Sequence, residues 1–266
     1  MRIHTSVLVL LTITTLLACN NKKTETTTSS EEKEMTVAPT KLSEAEILLN
    51  EAIQAHGGDL YDTANYSFVF RENTYTFKND GQSYEYTKTA KKEDSTTIDV
   101  LKNGVFSRTV NNEPVTLSEK KTKSATGAIN SVIYFATLPH KLNDASVLKE
   151  YLGETTIKGQ TYAVLGITFK QEGGGEDFDD EFHYWINSET KKIDYLAYNY
   201  KVNKGGVRFR SAYNRSVIDG ITFQDYINYK VEVGTPLLDI PSLYEAGKLT
   251  ELSKIETEQI LNLNNK

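Results

Sequence analysis

The chain has 266 residues, a formal net charge of −6 at pH 7 and a single cysteine. The acidic balance disfavours nucleic acid as a partner and provides no basic stripe for anionic headgroups. One cysteine cannot form an intrachain disulfide or a dithiol redox couple. The sequence around this cysteine indicates a different role for it.

Cys19 directly follows an apolar run over residues 6–17 and directly precedes a polar segment. The run is too short for a comfortable membrane span and is typical of a secretory signal. Its end, Leu-Leu-Ala-Cys, resembles the lipobox of bacterial lipoproteins. We expect residues 1–18 to be a lipoprotein signal peptide and Cys19 to carry acyl chains that attach the protein to a membrane. The alternative is an ordinary signal peptide with a chance cysteine.

Residues 19–41 are expected to form a lipidated, disordered tether, because Thr, Ser, Glu and Lys dominate them. Such a chain has a root-mean-square reach of about 25 Å. The residues after Cys19 are Asn-Asn-Lys-Lys rather than an acidic cluster resembling a surface-export signal. The sequence therefore favours the bacterial cell envelope, with the anchor in the outer membrane facing the periplasm.

The segment 42–266 is expected to be a single β-rich domain that opens with a helix. Ser43 and Glu46 have capping-box spacing, and Gly57-Gly58 stops the helix. From Asn65 the apolar period changes to two, and Asp80-Gly81 is typical of a hairpin turn. This half is predicted to be an antiparallel meander.

A helical insert and a second set of strands follow the meander. Residues 124–138 have helical spacing, Pro139 ends that helix, and 143–152 is predicted to be another short helix. Longer strand patterns follow, and the pattern weakens after Pro236. The sequence predicts a mainly β, α+β fold: a strongly curved antiparallel half-barrel of about eleven strands, with a helical lid over a cavity.

An acidic loop is the most unusual stretch, with glycines followed by carboxylates over residues 172–181. Calcium binds six to eight oxygens, which such a loop can partly supply, although the spacing is not that of an EF-hand. The candidate metal ligands are Asp177, Asp179, Asp180 and Glu181. The alternative is an ordinary or partner-contacting hairpin turn, and no other cofactor is indicated.

Strand alternation groups the candidate ligand-binding residues. Arg208 and Arg210 share one face of their strand. They are predicted either to pair with an acid such as Glu181, Asp194 or Asp225, or to hold an anionic headgroup or sugar acid. The chain also has 16 tyrosines, which suit a cavity lining. The candidate ligand-binding residues are His183, Trp185, Tyr195, Tyr198, Arg208, Arg210 and Tyr213.

Several longer segments resemble a known family. "NSVIYFATLPHKLND", "QEGGGEDFDDEFHYWI" and "GGVRFRSAYNR" are similar to segments of uncharacterised Bacteroidetes lipoproteins grouped as DUF6503, over most of residues 45–235. That family implies no activity and no catalytic residue. The order of elements also resembles the fold of the lipoprotein carriers LolA and LolB. This likeness implies binding of acyl chains or another hydrophobic ligand beneath the lid.

These observations favour a membrane-anchored, periplasm-facing lipoprotein that binds a lipid-like or other amphipathic ligand without converting it. One alternative is an envelope interaction module whose acidic loop, with or without calcium, contacts a partner. The other is an envelope hydrolase or lyase, in which His183 with Asp179 or Glu181 would form an acid/base pair. No catalytic residue is assigned, because no nucleophile is placed beside that pair.

Overall fold

The computed structural model describes residues 41–171, 180–201 and 205–265. Residues Lys41–Lys266 group into one compact unit. The helices are α1 (Glu44–His56), α2 (Glu119–Ala136) and α3 (Ile240–Glu245). The strands are β1 (Asn65–Phe70), β2 (Asn73–Asp80), β3 (Ser83–Lys92), β4 (Ser95–Lys102), β5 (Val105–Val110), β6 (Glu113–Pro114), β7 (Val147–Ile157), β8 (Gln160–Phe169), β9 (Glu181–Asn187), β10 (Ile193–Tyr200), β11 (Gly206–Ile218), β12 (Ile221–Val231), β13 (Thr250–Ile255) and β14 (Glu258–Asn262).

Helix α1 begins and ends as its sequence predicts. The Ser43 backbone N–H donates to the Glu46 carboxylate at 2.8 Å, and the Glu46 N–H donates to the Ser43 hydroxyl at 3.3 Å. The Ser43 N–H and the Ser43 hydroxyl both donate to the Glu46 carboxylate at 2.8 Å, which lowers the pKa of Glu46. Gly57 ends the helix with a φ of 145°, which a side chain would strain. The predicted capping box and glycine stop are therefore confirmed.

The strands form two antiparallel sheets of seven strands each. The first sheet has the order β14-β1-β2-β3-β4-β5-β6, and the second has the order β13-β12-β11-β10-β9-β8-β7. Most neighbours are consecutive hairpins, such as the predicted turn in which Asp80 pairs with Ser83 around Gly81 at φ 58°. The predicted mainly β, antiparallel architecture is confirmed, and the strand arrangement differs from the expected single sheet.

The C-terminal strands connect the two sheets. β13 pairs with β12 of the second sheet, and β14 pairs with β1 of the first. At the crossing, the Thr257 backbone N–H donates to the carboxylate of Asp225 on β12 at 2.8 Å, and Asn214 on β11 donates to the same carboxylate at 2.6 Å. Asp225 is only 3% exposed. This buried carboxylate therefore fixes the point at which the chain passes from one sheet to the other.

Three buried clusters hold the elements together. Leu49 and Ala52 of α1 pack with Leu165 and Tyr184 on one face of the second sheet, which we call the helix-covered face. The opposite face of that sheet is buried by the segment 237–249, which contains α3. The third cluster places α2 against the first sheet. Both faces of the second sheet are consequently buried.

Three strands differ from the sequence prediction. Residues 143–152 were expected to be helical, but Val147–Ile157 forms β7, in which side chains alternate along a β ladder with β8. β13 and β14 form where the pattern weakens after Pro236. They lie at sheet edges with mostly exposed side chains, so they lack a clear alternating pattern. The described residues thus contain fourteen strands rather than about eleven.

We predict that Asp225→Ala lowers the free energy of unfolding by about 2 kcal/mol, because the Thr257 N–H loses a buried charged acceptor. Urea denaturation monitored by circular dichroism measures the change. Asp239→Ala is the matched control, since Asp239 is exposed and makes no capping hydrogen bond. Equal stability of the two variants would contradict the proposed role of the crossing.

We also predict acid-sensitive stability from His56, whose Nδ1 contacts the Ala52 carbonyl oxygen at 2.8 Å. Burial lowers the pKa of His56 to about 3. The unfolded pKa is about 6.5, so the unfolded state binds the proton first and stability falls as the pH drops below that value. When the pH is lowered from 7 to 5, the free energy of unfolding should fall by about 2 kcal/mol more in the parent than in the His56→Leu variant. Parallel losses in urea titrations would contradict this assignment.

Candidate functional site

The candidate ligand-binding residues divide between the two faces of the second sheet. Of these candidates, Tyr198 lies on the helix-covered face, beside Phe182 and Tyr184, whereas Trp185 and Tyr195 lie on the opposite face. Strand alternation adds the remaining candidates, with Arg208 and Arg210 on the helix-covered face and His183 and Tyr213 on the opposite face. The predicted residues therefore cannot line one common cavity.

Helix α2 brings aromatic side chains onto the helix-covered face. The ring centroid of Phe135 lies 5.6 Å from that of Tyr198, which lies 5.1 Å from that of Phe182. The hydroxyl oxygens of Tyr134 and Tyr184 are 2.6 Å apart. The expected open hollow beneath the lid is thus occupied by an aromatic layer, formed by Tyr134, Phe135, Phe182, Tyr184 and Tyr198. Tyr134 and Phe135 were not among the predicted site residues, because their sequence signal is only their position at the end of the helical run.

A buried arginine lies within this aromatic layer. Arg210 is 7% exposed, and its guanidinium carbon lies 3.8 Å from the Phe135 ring centroid. Its Nη2 donates to the Tyr198 hydroxyl at 2.9 Å, while its Nε is buried without a hydrogen-bond partner. Asn228, which pairs with Arg210 across the β11–β12 ladder, has a buried side-chain oxygen that also lacks a partner.

The predicted pairing of these arginines with an acid does not form among the described residues. Arg208 donates to the Tyr200 hydroxyl at 2.6 Å and to the Val207 carbonyl oxygen at 2.9 Å. Asp194 instead pairs with Arg215 at 2.7 Å. A β-bulge between Ile193 and Tyr195 breaks the alternation at Asp194. The carboxylate of Asp194 accordingly bonds to Tyr162, whose ring belongs to the opposite-face cluster.

On the opposite face, His183 contacts Glu181 through its Nε2 at 2.9 Å. Burial lowers the pKa of His183, although the neighbouring carboxylate acts in the opposite direction. Within the described ranges, Glu181 is the one hydrogen-bond partner of this ring, whose Nδ1 is buried and unpaired. A nucleophile hydrogen-bonded to His183, which a triad would need, is not found in those ranges.

The candidate metal ligands are only partly within the described residues. Asp177 and Asp179 lie outside them, Asp180 is 8% exposed, and Glu181 bonds to His183 and Asn199. Among the residues that the structure describes, no group of three or more His, Cys, Asp or Glu side chains could hold a metal ion. The calcium site therefore stays a prediction.

Two open cavities lie away from the aromatic layer. One, of about 330 Å³, is lined by Tyr162, Asp194, Tyr195 and Arg215 among others, and its Asp194–Arg215 ion pair makes it polar. The other, of about 430 Å³, is lined by Glu181, Asn199, Tyr200 and Val233 among others. Neither of these two cavities includes a side chain of the aromatic layer.

Helix α2 is held less firmly than α1. α1 buries six of its thirteen residues and has a complete capping box. α2 buries only Ile129 and Ile133 among eighteen residues, has no side-chain hydrogen bond at its N-cap, and contains Gly127. Both a missing cap and an internal glycine weaken a helix. α2 can therefore be displaced from the second sheet, together with Tyr134 and Phe135, at a lower cost than α1.

The fold is LolA-like. A LolA superfamily protein from Nitrosomonas europaea matches with a TM-score of 0.50 and 12% identity, over 82% of this chain and 93% of that chain. A family model described as a family of unknown function, DUF6503, matches residues 6–257, and the chain belongs to that family. The predicted family and LolA-like fold are confirmed.

Two further solved structures are similar to this chain, with lower TM-scores. A DUF1329 family protein from Desulfovibrio piger matches with a TM-score of 0.47 and 11% identity, over 84% of this chain and 94% of that chain. A domain from Vibrio parahaemolyticus, named for outer membrane lipoprotein sorting, matches with a TM-score of 0.41 and 7% identity, over 76% and 85%. No curated protein matches the chain. In the described ranges, no helix is long and apolar enough to cross a bilayer.

We predict that backbone amides of α2 exchange with deuterium at least tenfold faster than those of α1, because α2 buries fewer side chains. Hydrogen exchange with mass spectrometry on peptides from the two helices measures the ratio. The peptides of β9 and β10, buried on both faces, are the slow reference. Equal protection of α1 and α2 would show that α2 is not a movable element.

Proposed function

We propose that the protein is a lipid-anchored protein of the bacterial cell envelope that binds a lipid-like or other amphipathic ligand beneath α2 without converting it. The observation that carries this proposal is the aromatic layer on the helix-covered face, covered by a helix that buries only Ile129 and Ile133. The LolA-like fold supports the proposal at the level of architecture alone.

The free energies of apolar burial favour a ligand that replaces the contacts of α2 with its own. Moving α2 exposes Ile129 and Ile133, which costs about 2 to 3 kcal/mol for each side chain. It also removes the half-buried Tyr134 and Phe135 from the second sheet, at about 1 to 2 kcal/mol each. An acyl chain of about sixteen carbons gains about 0.8 kcal/mol for each methylene that it buries. Burial of most of such a chain therefore offsets the loss. The aromatic layer suits this exchange, because stacked rings present flat apolar surfaces to an inserted chain.

Binding without conversion fits the chemistry of the layer. Burial and the neighbouring Tyr134 hydroxyl raise the pKa of Tyr184 well above its usual value, so its phenol stays protonated at neutral pH. The His183–Glu181 pair lies on the other side of the sheet. The polar groups of the aromatic layer and Arg210 are therefore hydrogen-bond donors and a cation, and none of them is a general base for hydrolysis.

The membrane attachment remains part of the proposal. Residues 1–18 and Cys19 lie outside the described residues, as does most of the tether over 19–41. Acylation of Cys19 would attach the folded unit to the outer membrane on its periplasmic side, where lipids and lipidated proteins are the available ligands. The support for this location is the lipobox-like sequence that ends at Cys19.

Lipid capture tests the ligand proposal. The chain from Lys41, which contains all three buried clusters, is incubated with phosphatidylethanolamine–phosphatidylglycerol vesicles, re-isolated without detergent and weighed by native mass spectrometry. We expect about one bound lipid for each chain, because one aromatic layer provides one site. A mass without lipid at every vesicle concentration would overturn the proposal.

A matched pair of substitutions on α2 locates the site. Ala136 is half-buried against the core, and Ala128 is exposed on the same helix. We expect Ala136→Trp to reduce the captured lipid at least fivefold, because the indole fills space beneath α2, and Ala128→Trp to leave it unchanged. Thermal denaturation verifies that both variants fold. Undiminished capture by a folded Ala136→Trp variant would place the lipid elsewhere.

A further inference from the structure

The side chain of Arg210 has no counter-ion among the described residues. The three carboxylates that the sequence offered to it have other partners: Glu181 contacts His183, Asp194 contacts Arg215, and Asp225 accepts from Thr257. Arg210 instead contacts neutral groups. It donates a hydrogen bond to the Tyr198 hydroxyl, and its guanidinium lies over the Phe135 ring. A guanidinium in this position is thus buried as an unpaired charge.

Arg108 in the first sheet shows how the same chain holds an arginine that only supports the fold. Its Nε and Nη2 donate to the two carboxylate oxygens of Asp99 at 2.5 Å and 2.7 Å. That side chain is 26% exposed, yet it has a bidentate partner. Arg210 is more deeply buried and lacks such a partner. The difference indicates that the counter-ion of Arg210 is not supplied by the fold.

Unpaired polar atoms surround the same position. The buried Nε of Arg210 has no hydrogen-bond acceptor, and the buried amide oxygen of Asn228 has no hydrogen-bond donor. Arg210 and Asn228 are directly opposite in the β11–β12 ladder, so their side chains project from the same face. Rotation of the Asn228 amide by 180° would present its NH₂ group instead. Arg210 and Asn228 together can then offer converging donors to one anionic group.

The cation–π contact compensates only part of the burial of this charge. A ring face attracts a guanidinium, but a buried ion generally also needs an opposite charge or a full set of hydrogen bonds. Phe135 belongs to α2, so a displacement of α2 removes the ring from Arg210 and uncovers its Nε. An anionic group that arrives with the ligand would occupy the position that the ring leaves.

We propose that Arg210, with Asn228 and the Tyr198 hydroxyl, binds the anionic head of a single-chain amphiphile, a carboxylate or a phosphate, whose chain lies beneath α2. This inference rests on the proposed function and specifies its ligand class. The aromatic layer receives the apolar chain, and the guanidinium receives the charge. Bidentate hydrogen bonds to the planar guanidinium select an oxyanion over a hydroxyl head.

Paired ligands test the inference on the chain from Lys41. Palmitate and hexadecanol share their chain and differ in the head, so displacement of a fluorescent acyl probe by each measures the preference for the anion. We expect the parent to bind palmitate at least tenfold more tightly than hexadecanol. The Arg210→Met variant should bind palmitate and hexadecanol equally. Arg208 lies on the same strand face but donates to the Tyr200 hydroxyl, so the Arg208→Met variant should keep the preference for palmitate.

Thermal denaturation separates binding from folding. Arg210→Met should melt at the same temperature as the parent or higher, because the substitution removes an unpaired buried charge. Palmitate should raise the melting temperature of the parent more than that of Arg210→Met. A lower melting temperature of Arg210→Met, together with an unchanged preference for palmitate, would show that Arg210 supports the fold and does not bind the head.

The remaining outcomes are distinct. Equal binding of palmitate and hexadecanol by the parent would overturn the anionic head and leave the proposed function standing. Binding of neither amphiphile would overturn this inference, whereas the proposed function is overturned only when the chain also captures no vesicle lipid. Inorganic phosphate alone is the third probe: Arg210-dependent binding of phosphate as tight as that of palmitate would identify a free-anion site and contradict an amphiphile.

Discussion

The crossing from β13 to β14 is the constraint on which the rest of the structure depends. β13 completes the second sheet and β14 completes the first, and the buried Asp225 carboxylate fixes the chain between them. With the two sheets joined in this way, one helix can contact both. α2 places Ile133 in the cluster of the first sheet and Phe135 over Arg210 of the second. The candidate site exists because of that shared helix.

Local signals predicted the elements that local physics determines. Ser43, Glu46 and Gly57 define α1 through hydrogen bonds and a backbone conformation within a few residues, and Asp80-Gly81 defines a hairpin in the same way. β7 was mistaken for a helix because a short mixed run with Val147 fits both periods, and only its pairing with β8 decides between them. β13 and β14 gave no pattern, since an edge strand needs few apolar residues.

The candidate site was predictable in part. Alternation correctly grouped Arg208 with Arg210, and separated Phe182 and Tyr184 from His183 and Trp185. It could not show that the second sheet is buried on both faces, nor that the bulge at Asp194 turns that carboxylate from the arginines toward Tyr162. Phe135 and Asn228 reach Arg210 through tertiary packing and strand register, which no short segment of sequence encodes.

The strand order also determines how this fold can open. β6 and β7 follow each other along the chain, yet each lies at the outer end of a different sheet, and α2 forms most of the connection between them. A swing of α2 therefore leaves every inter-strand hydrogen bond of both ladders in place. A ligand of the proposed kind would therefore enter and leave between the sheets while both strand ladders stay intact.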